Sequence, residues 1–208
     1  MRQSGHVKDV VRTRRAADRR RLEIADAGLS ILAREGARRL THRAIDSGLA
    51  FPEGTTSYYY PSRLKLLAAT CERLVELDIA DMHWTSELLA SEPDSLDLMR
   101  FADLQADTYI DWLAPRNRER ALARCELFLE ATRNDVLGKI ASNSRLQFVQ
   151  RLTALFKLAK AQQPKKAAES LIDFGMGLLF GHLVALGRPL DKNELRILVR
   201  NTIKSLAG

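Results

Sequence analysis

The side chains best equipped for chemistry in this chain are short polar donors rather than acid–base or metal-binding groups. In Gly54-Thr55-Thr56-Ser57-Tyr58-Tyr59-Tyr60, six hydroxyl-bearing residues follow one glycine. Thr41-His42-Arg43 precede this stretch and Ser62-Arg63 follow it. Such groups hydrogen-bond phosphate oxygens and the edges of bases in a groove. Other chemistries lack their residues. His6, His42, His83 and His182 are scattered, and there is no HExxH, GxSxG or Walker-type phosphate loop. Gly175, Gly177 and Gly181 spell GxGxxxG, but without the preceding strand or the spacing of a nucleotide loop. Cys71 and Cys125 have neither a CxxC partner nor a nearby histidine pair, so they read as reduced thiols of a cytoplasmic protein. No enzymatic activity, cofactor or metal site is expected.

Positioning the polar cluster requires two short helices and a tight connection. Thr41 is placed to cap the first, with Leu40 and Ile45 as the apolar pair that sets the angle of entry. That helix is expected to end near Ser47-Gly48, and a second to begin near Pro52 and stop at Pro61. Ser62 then caps a long third helix. Helix, turn and helix in this order place a reading helix in a major groove. The charge agrees. Residues 1–75 hold 15 Lys/Arg against 8 Asp/Glu, while residues 76–208 hold 18 of each, so all the excess of +7 lies with this segment. Attraction to phosphate independent of sequence requires such a bias.

Gly36, the run Leu40-Thr41-His42-Arg43-Ala44-Ile45, Gly54 to Tyr60 and Pro61-Ser62-Arg63 together resemble the DNA-binding region of TetR-family (tetracycline-repressor-like) transcriptional regulators. The match runs without gaps from Ile45 to Leu67 and is firm over roughly residues 20 to 75. Two positions depart from the family pattern. Ala50 stands where the turn usually has glycine, and Glu53 puts an acid at the front of the reading helix. A left-handed Ala50 would carry strain on the order of 1 kcal/mol. Glu53 would repel phosphate unless it accepts from a cytosine amine.

The resemblance implies roles residue by residue. Thr41, His42 and Arg43 would hold backbone phosphate. Glu53, Gly54, Thr55, Ser57 and Tyr58 would face the groove, and Tyr59, Ser62 and Arg63 would anchor phosphates beside it. Tyr60 would pack in the core. The family also implies a homodimer on a palindromic operator of double-stranded DNA, with half-sites about 34–36 Å apart. The last two long helices would pair with their copies, with Gly175, Gly177 and Gly181 at the interface or packed within one chain. A pocket for an unknown small-molecule effector would lie among the middle helices. Cys71, Trp84, Phe101 and Tyr109 are candidate walls, as are Trp112, Cys125, Phe128 and Phe148.

With 46% apolar residues and only six prolines and eleven glycines, the chain is expected to be all-α with about nine helices. A basic arm over residues 1–18 would reach DNA or remain a solvated tail. A three-helix DNA-binding domain over 19–67 and a helical ligand-binding and dimerisation domain over 68–208 would follow. In the first helix Leu22, Ala25, Leu29 and Leu32 share a face, and Gly36 ends it. The helix opened by Ser62 is expected to continue towards Ala90, and Ser91 to Asp94 to form a loop. Ser95 would cap a helix carrying Leu98, Phe101, Gln105, Tyr109 and Trp112 on one face, with Asp103, Asp107 and Asp111 on the other as a solvated acidic face or, less in keeping with the geometry, a cation-binding pocket. Further helices are expected over 116–132, from Asn134 to Ala161, over 165–186 and from Asp191 to Leu206, with Gly187-Arg188-Pro189 ending the penultimate one. The apolar run Phe174 to Leu186 is too short to span a bilayer, and no secretory leader is apparent. The rival readings are a non-sensing DNA-binding protein of the same fold and a small-molecule-binding or catalytic helical protein whose DNA-binding head has lapsed.

Overall fold

The computed structural model describes residues 3–91, 96–184 and 191–208, with side chains from residue 14 onward. Ten α-helices occur among the described residues. They are α1 (Gln3–Glu35), α2 (His42–Gly48), α3 (Thr55–Tyr59), α4 (Arg63–Asp81), α5 (Trp84–Ser91), α6 (Leu98–Trp112), α7 (Arg118–Ala131), α8 (Asp135–Leu158), α9 (Pro164–Val184) and α10 (Lys192–Ala207). These are the nine expected helices, with the fourth broken in two at Met82–His83. Single 3₁₀ turns at Ala37–Arg39 and Pro115–Asn117 complete the described pattern.

The helix starts lie where short polar residues can satisfy orphan amides. Thr41 accepts from the amide of Ala44 at 3.1 Å and Ser62 from that of Lys65 at 3.2 Å. Asn134 caps α8 and Asp191 caps α10 in the same way. Asp97 caps α6, accepting from the amides of Met99 and Arg100. The cap expected at Ser95, the end of the Ser91–Asp94 loop and the Gly187-Arg188-Pro189 stop lie outside the described residues. The second short helix starts at Thr55, not near Pro52, because residues 52–54 form the turn leading into it.

Two apolar clusters fill the molecule. One joins Ile24, Leu32, Leu40, Ile45 and Leu67 of the amino-terminal helices to Ala123, Leu127 and Leu137 of α7 and α8. Helix α4 thus carries one core across the expected boundary at residue 67. The other cluster is built on Phe101, whose ring meets Trp84 and Phe156, and on Leu152, Leu171 and Val199 from α8, α9 and α10.

Several expectations need correction. Leu22 is exposed, and Ile24 takes its place on the buried face of α1. That face crosses α4 where Gly28 meets Thr70, so closely that a β-carbon at 28 would lie 2.4 Å from Thr70 Oγ1. The acidic side of α6 is not simply solvated. Asp103 is bound by Arg200 at 2.6 and 2.8 Å, Asp107 pairs with Arg196, and Asp111 pairs with Arg116. Two of these pairs dock α10 onto α6, and the Arg200 guanidinium holds the Asp103 carboxyl below the usual carboxylate range. Finally, α9 as a whole is long and apolar enough to cross a membrane by length and composition. Lys165, Lys166, Glu169 and Asp173 lie along it, however, and Leu171, Gly175 and Leu179 pack into the protein core.

Candidate functional site

The polar cluster sits on α2, the turn and α3, and a carboxylate not singled out in the sequence holds the three together. Asp46, on α2, is only 4% exposed. Its Oδ2 accepts from the amide of Gly54 at 2.9 Å, and its Oδ1 accepts from the amide of Thr56 at 2.9 Å and from the Thr56 hydroxyl. An anion at the amino end of α3 satisfies otherwise orphaned donors and faces the positive end of the helix. Within the turn Ala50 has φ of 52° and Gly54 φ of 91°. The strain anticipated for a left-handed alanine is therefore present, held by the amides of Ala50 and Phe51 bonding to Ser47 O and Asp46 O.

The rest of the cluster divides into groups that face solvent and groups already engaged. Tyr58 is 82% exposed, the most exposed large apolar side chain described, and its ring stands edge-on against Tyr59 at 5.1 Å. Arg43, Glu53 and Gly54 are also exposed. Ser57 is exposed while donating to Gly54 O, and the half-buried Thr55 donates to Pro52 O at 2.7 Å. The Thr41 and Ser62 hydroxyls are helix caps, though both residues face solvent. His42 is half-buried, its Nε2 donating to Tyr60 O at 2.6 Å. A backbone carbonyl only accepts, so that nitrogen carries the hydrogen. Arg63 Nη2 donates to Ala37 O, tying the start of α4 to the 3₁₀ turn. Arg20 lies over the Phe51 ring at 4.1 Å and Arg21 over Tyr59 at 5.4 Å, while Tyr60, half-buried, reaches Arg21 O.

A cavity of about 330 Å³ lies behind this head, lined by α4, α6, α7, α8 and α9. Of the expected wall residues, Cys71, Tyr109, Trp112, Phe128 and Phe148 line it. Trp84, Phe101 and Cys125 do not. Trp84 and Phe101 stack in the adjoining core, where Trp84 Nε1 donates to Thr108, and Cys125 is half-buried beside that core. Gly175, expected at a subunit interface or packed within one chain, is a cavity residue. A β-carbon there would meet Tyr109 Oη at 2.4 Å, so glycine is what lets this ring lie against α9. Gly177 and Gly181 are exposed, with open space where a β-carbon would stand.

The polar wall of the cavity is a charge network that the sequence did not reveal. Arg124, 1% exposed, grips Asp78 through Nε at 2.9 Å and through Nη2, and its guanidinium lies over the Trp112 ring at 4.5 Å. Trp112 Nε1 donates to Asp81 at 2.6 Å, and Arg120 pairs with Asp81 and lies 3.6 Å from Asp78. Burial pushes the Cys71 thiol up to about 11 and raises the Tyr109 hydroxyl further, so both are uncharged at neutral pH. Gln105 Oε1, also buried at the cavity, has no partner among the described residues.

The tetracyclin repressor-like C-terminal domain model matches residues 96–205. No curated protein matches the chain. Among solved structures, a TetR-family member from Streptomyces coelicolor superposes with a TM-score of 0.69 at 21% identity, covering 88% of this chain and 97% of the other. The multidrug binding protein EbrR complexed with imidazole gives 0.65 at 21% identity over 88% and 94% of the two chains, and EbrR is also known with malachite green and with ethidium. A protein from Saccharomonospora viridis in complex with choline gives 0.65 at 18% identity over 90% and 96%. At these identities the structural likeness speaks for the fold.

Proposed function

The chain belongs to the TetR (tetracycline-repressor-like) family of transcriptional regulators, and from that premise we propose that it is a homodimeric, ligand-responsive repressor of a palindromic operator. The observation that carries the DNA-binding part is the exposed ridge of Ser57 and Tyr58 on a short helix that Asp46 fixes against α2. Glu53, Gly54 and Thr55 lie at the front of that helix and would enter the groove with it. Thr41, Arg43, Tyr59, Ser62 and Arg63 surround it and would hold phosphates. His42, already bonded to Tyr60 O, would act by fixing the end of α3 against α2.

The ligand-responsive part rests on continuity. Helix α4 begins at the Ser62 cap beside α3, and its far half supplies Cys71, Leu74, Val75 and Asp78 to the cavity. A molecule seated there would favour one position of α4 over another and so move the reading helix, a shift between populated states. The small molecules held by EbrR and by the Saccharomonospora viridis protein support a sensing role. The dimer reading is supported by an apolar surface on the last two helices. Phe180, Val184 and Ile197 are each more than half exposed, and Gly177 and Gly181 leave room for close approach.

Replacing Thr55 and Tyr58 together with alanine tests the assignment of the reading helix. Neither side chain belongs to a core cluster, so far-ultraviolet circular dichroism and the melting temperature should stay near those of the parent. Loss of base contacts worth ~1–3 kcal/mol each should lower specific affinity by about two orders of magnitude. Capture of sheared genomic DNA followed by sequencing should recover discrete loci with the parent and none with the variant. The same loci bound by both would place recognition elsewhere.

A further inference from the structure

Within the ligand-sensing reading, the cavity itself restricts what it can hold. Its only charged lining groups are Asp78, Arg124 and Arg145 among the described residues. Asp78 is met by both nitrogens of the Arg124 fork, and Arg120 closes the network with Asp81. Two carboxylates thus face two guanidiniums. A cationic ligand finds no spare acid in that wall, an anionic one finds no spare base, and the open face of Arg124 is covered by Trp112. Arg145 is half-exposed and bound to Asp173 at 2.8 Å. Displacing a member of the buried network would leave its partner charged and uncompensated.

Among the side chains that line the cavity, Gln105 is the exception to this saturation. It is 2% exposed, and its Oε1 is unpartnered. The Tyr109 hydroxyl spends its hydrogen on Leu171 O at 3.1 Å, so towards Gln105 it can only accept. Gln105 lines the cavity, and its oxygen is a closely buried acceptor there without a partner among the described residues. A buried acceptor left open is costly until a donor arrives.

We propose that the cavity takes an uncharged, planar amphipathic molecule bearing an N–H or O–H group, which it donates to Gln105 Oε1 while its ring packs among Tyr109, Trp112, Phe128 and Phe148. Isothermal titration calorimetry of the full chain with four probes tests this. They are 2-naphthol, its isostere 2-methylnaphthalene, the anion 2-naphthoate and the cation ethidium. The parent should bind 2-naphthol about tenfold tighter than 2-methylnaphthalene, with both charged probes weaker than 2-naphthol. Gln105→Met, close in volume and without the acceptor, should abolish or reverse the preference for 2-naphthol. Equal or tighter binding of 2-methylnaphthalene by the parent would overturn the role of Gln105, even if the variant failed to fold. Tighter binding of ethidium or 2-naphthoate would overturn the ligand class and leave the sensing role standing. Binding of none of the four would count against the sensing role itself.

Discussion

Asp46→Ala is expected to lower specific DNA affinity by two orders of magnitude or more, although the Asp46 side chain is itself buried behind the reading surface. Its two oxygens take the amides of Gly54 and Thr56 and the Thr56 hydroxyl, and Thr56 is fully buried. Hydrogen bonds to a charged acceptor contribute roughly 1.5–3 kcal/mol each, and donors left buried without a partner carry a further penalty. Helix α3 has only five residues and does not sustain itself. Without the carboxylate the exposed ridge loses its fixed position, and pre-organisation for the groove goes with it. Asp46→Asn keeps one acceptor oxygen and places an NH2 group against a donor, so its loss should be intermediate. Fluorescence anisotropy on a bound duplex, with melting temperature measured in parallel, gives the order parent, Asn, Ala. Parent-like affinity in the alanine variant would mean that α3 is positioned by its apolar contacts alone.

The second large effect is on stability. Arg124→Met removes the cation from a pair in which Arg124 is 1% and Asp78 6% exposed. Breaking a buried pair from one side typically costs ~3–5 kcal/mol, because the remaining charge stays buried. Arg120, 3.6 Å from Asp78, offsets part of that, which places the expected loss at the lower end. For a chain of this size the melting temperature should fall by roughly 10 °C. The double variant Asp78→Leu/Arg124→Met exchanges the pair for apolar volume and should recover most of the loss. Differential scanning calorimetry of the three proteins separates the cases. A single variant as stable as the parent would show that Asp78 is adequately held by Arg120. A double variant no better than the single would show that the packing of Arg124 on Trp112, not its charge, is what matters.

What the sequence revealed and what it concealed follow a physical division. The caps at Thr41, Ser62, Asn134 and Asp191 act within three residues, so residue type and position suffice to find them. The Ala50 strain was visible as a departure from a glycine turn, and Tyr58 as part of a polar cluster. Asp46 was concealed because an acid inside a short helix looks like any surface acid, and its partners lie eight and ten residues away across a turn. Asp78 and Arg124 are 46 residues apart, and the Asp103–Arg200 pair spans 97, distances over which spacing alone carries no pairing information. The break at Met82–His83 has neither glycine nor proline to announce it. Gly175 suggested close approach, at a subunit interface or within one chain, and the neighbour is the Tyr109 ring of the same chain. In α1 the spacing that put Leu22 on the buried face held for Ala25, Leu29 and Leu32 but not for Leu22 itself, which is exposed while Ile24 is buried.

Selection of bound sequences from a random duplex library at fixed salt concentration tests the central claim most directly, that this chain reads DNA as a two-fold pair of helices. The expected product is a palindrome whose half-site centres lie about one helical turn, or a multiple of it, apart. Enrichment of no sequence, with binding that merely falls steeply as salt is raised, would contradict it and reduce the head to a basic surface.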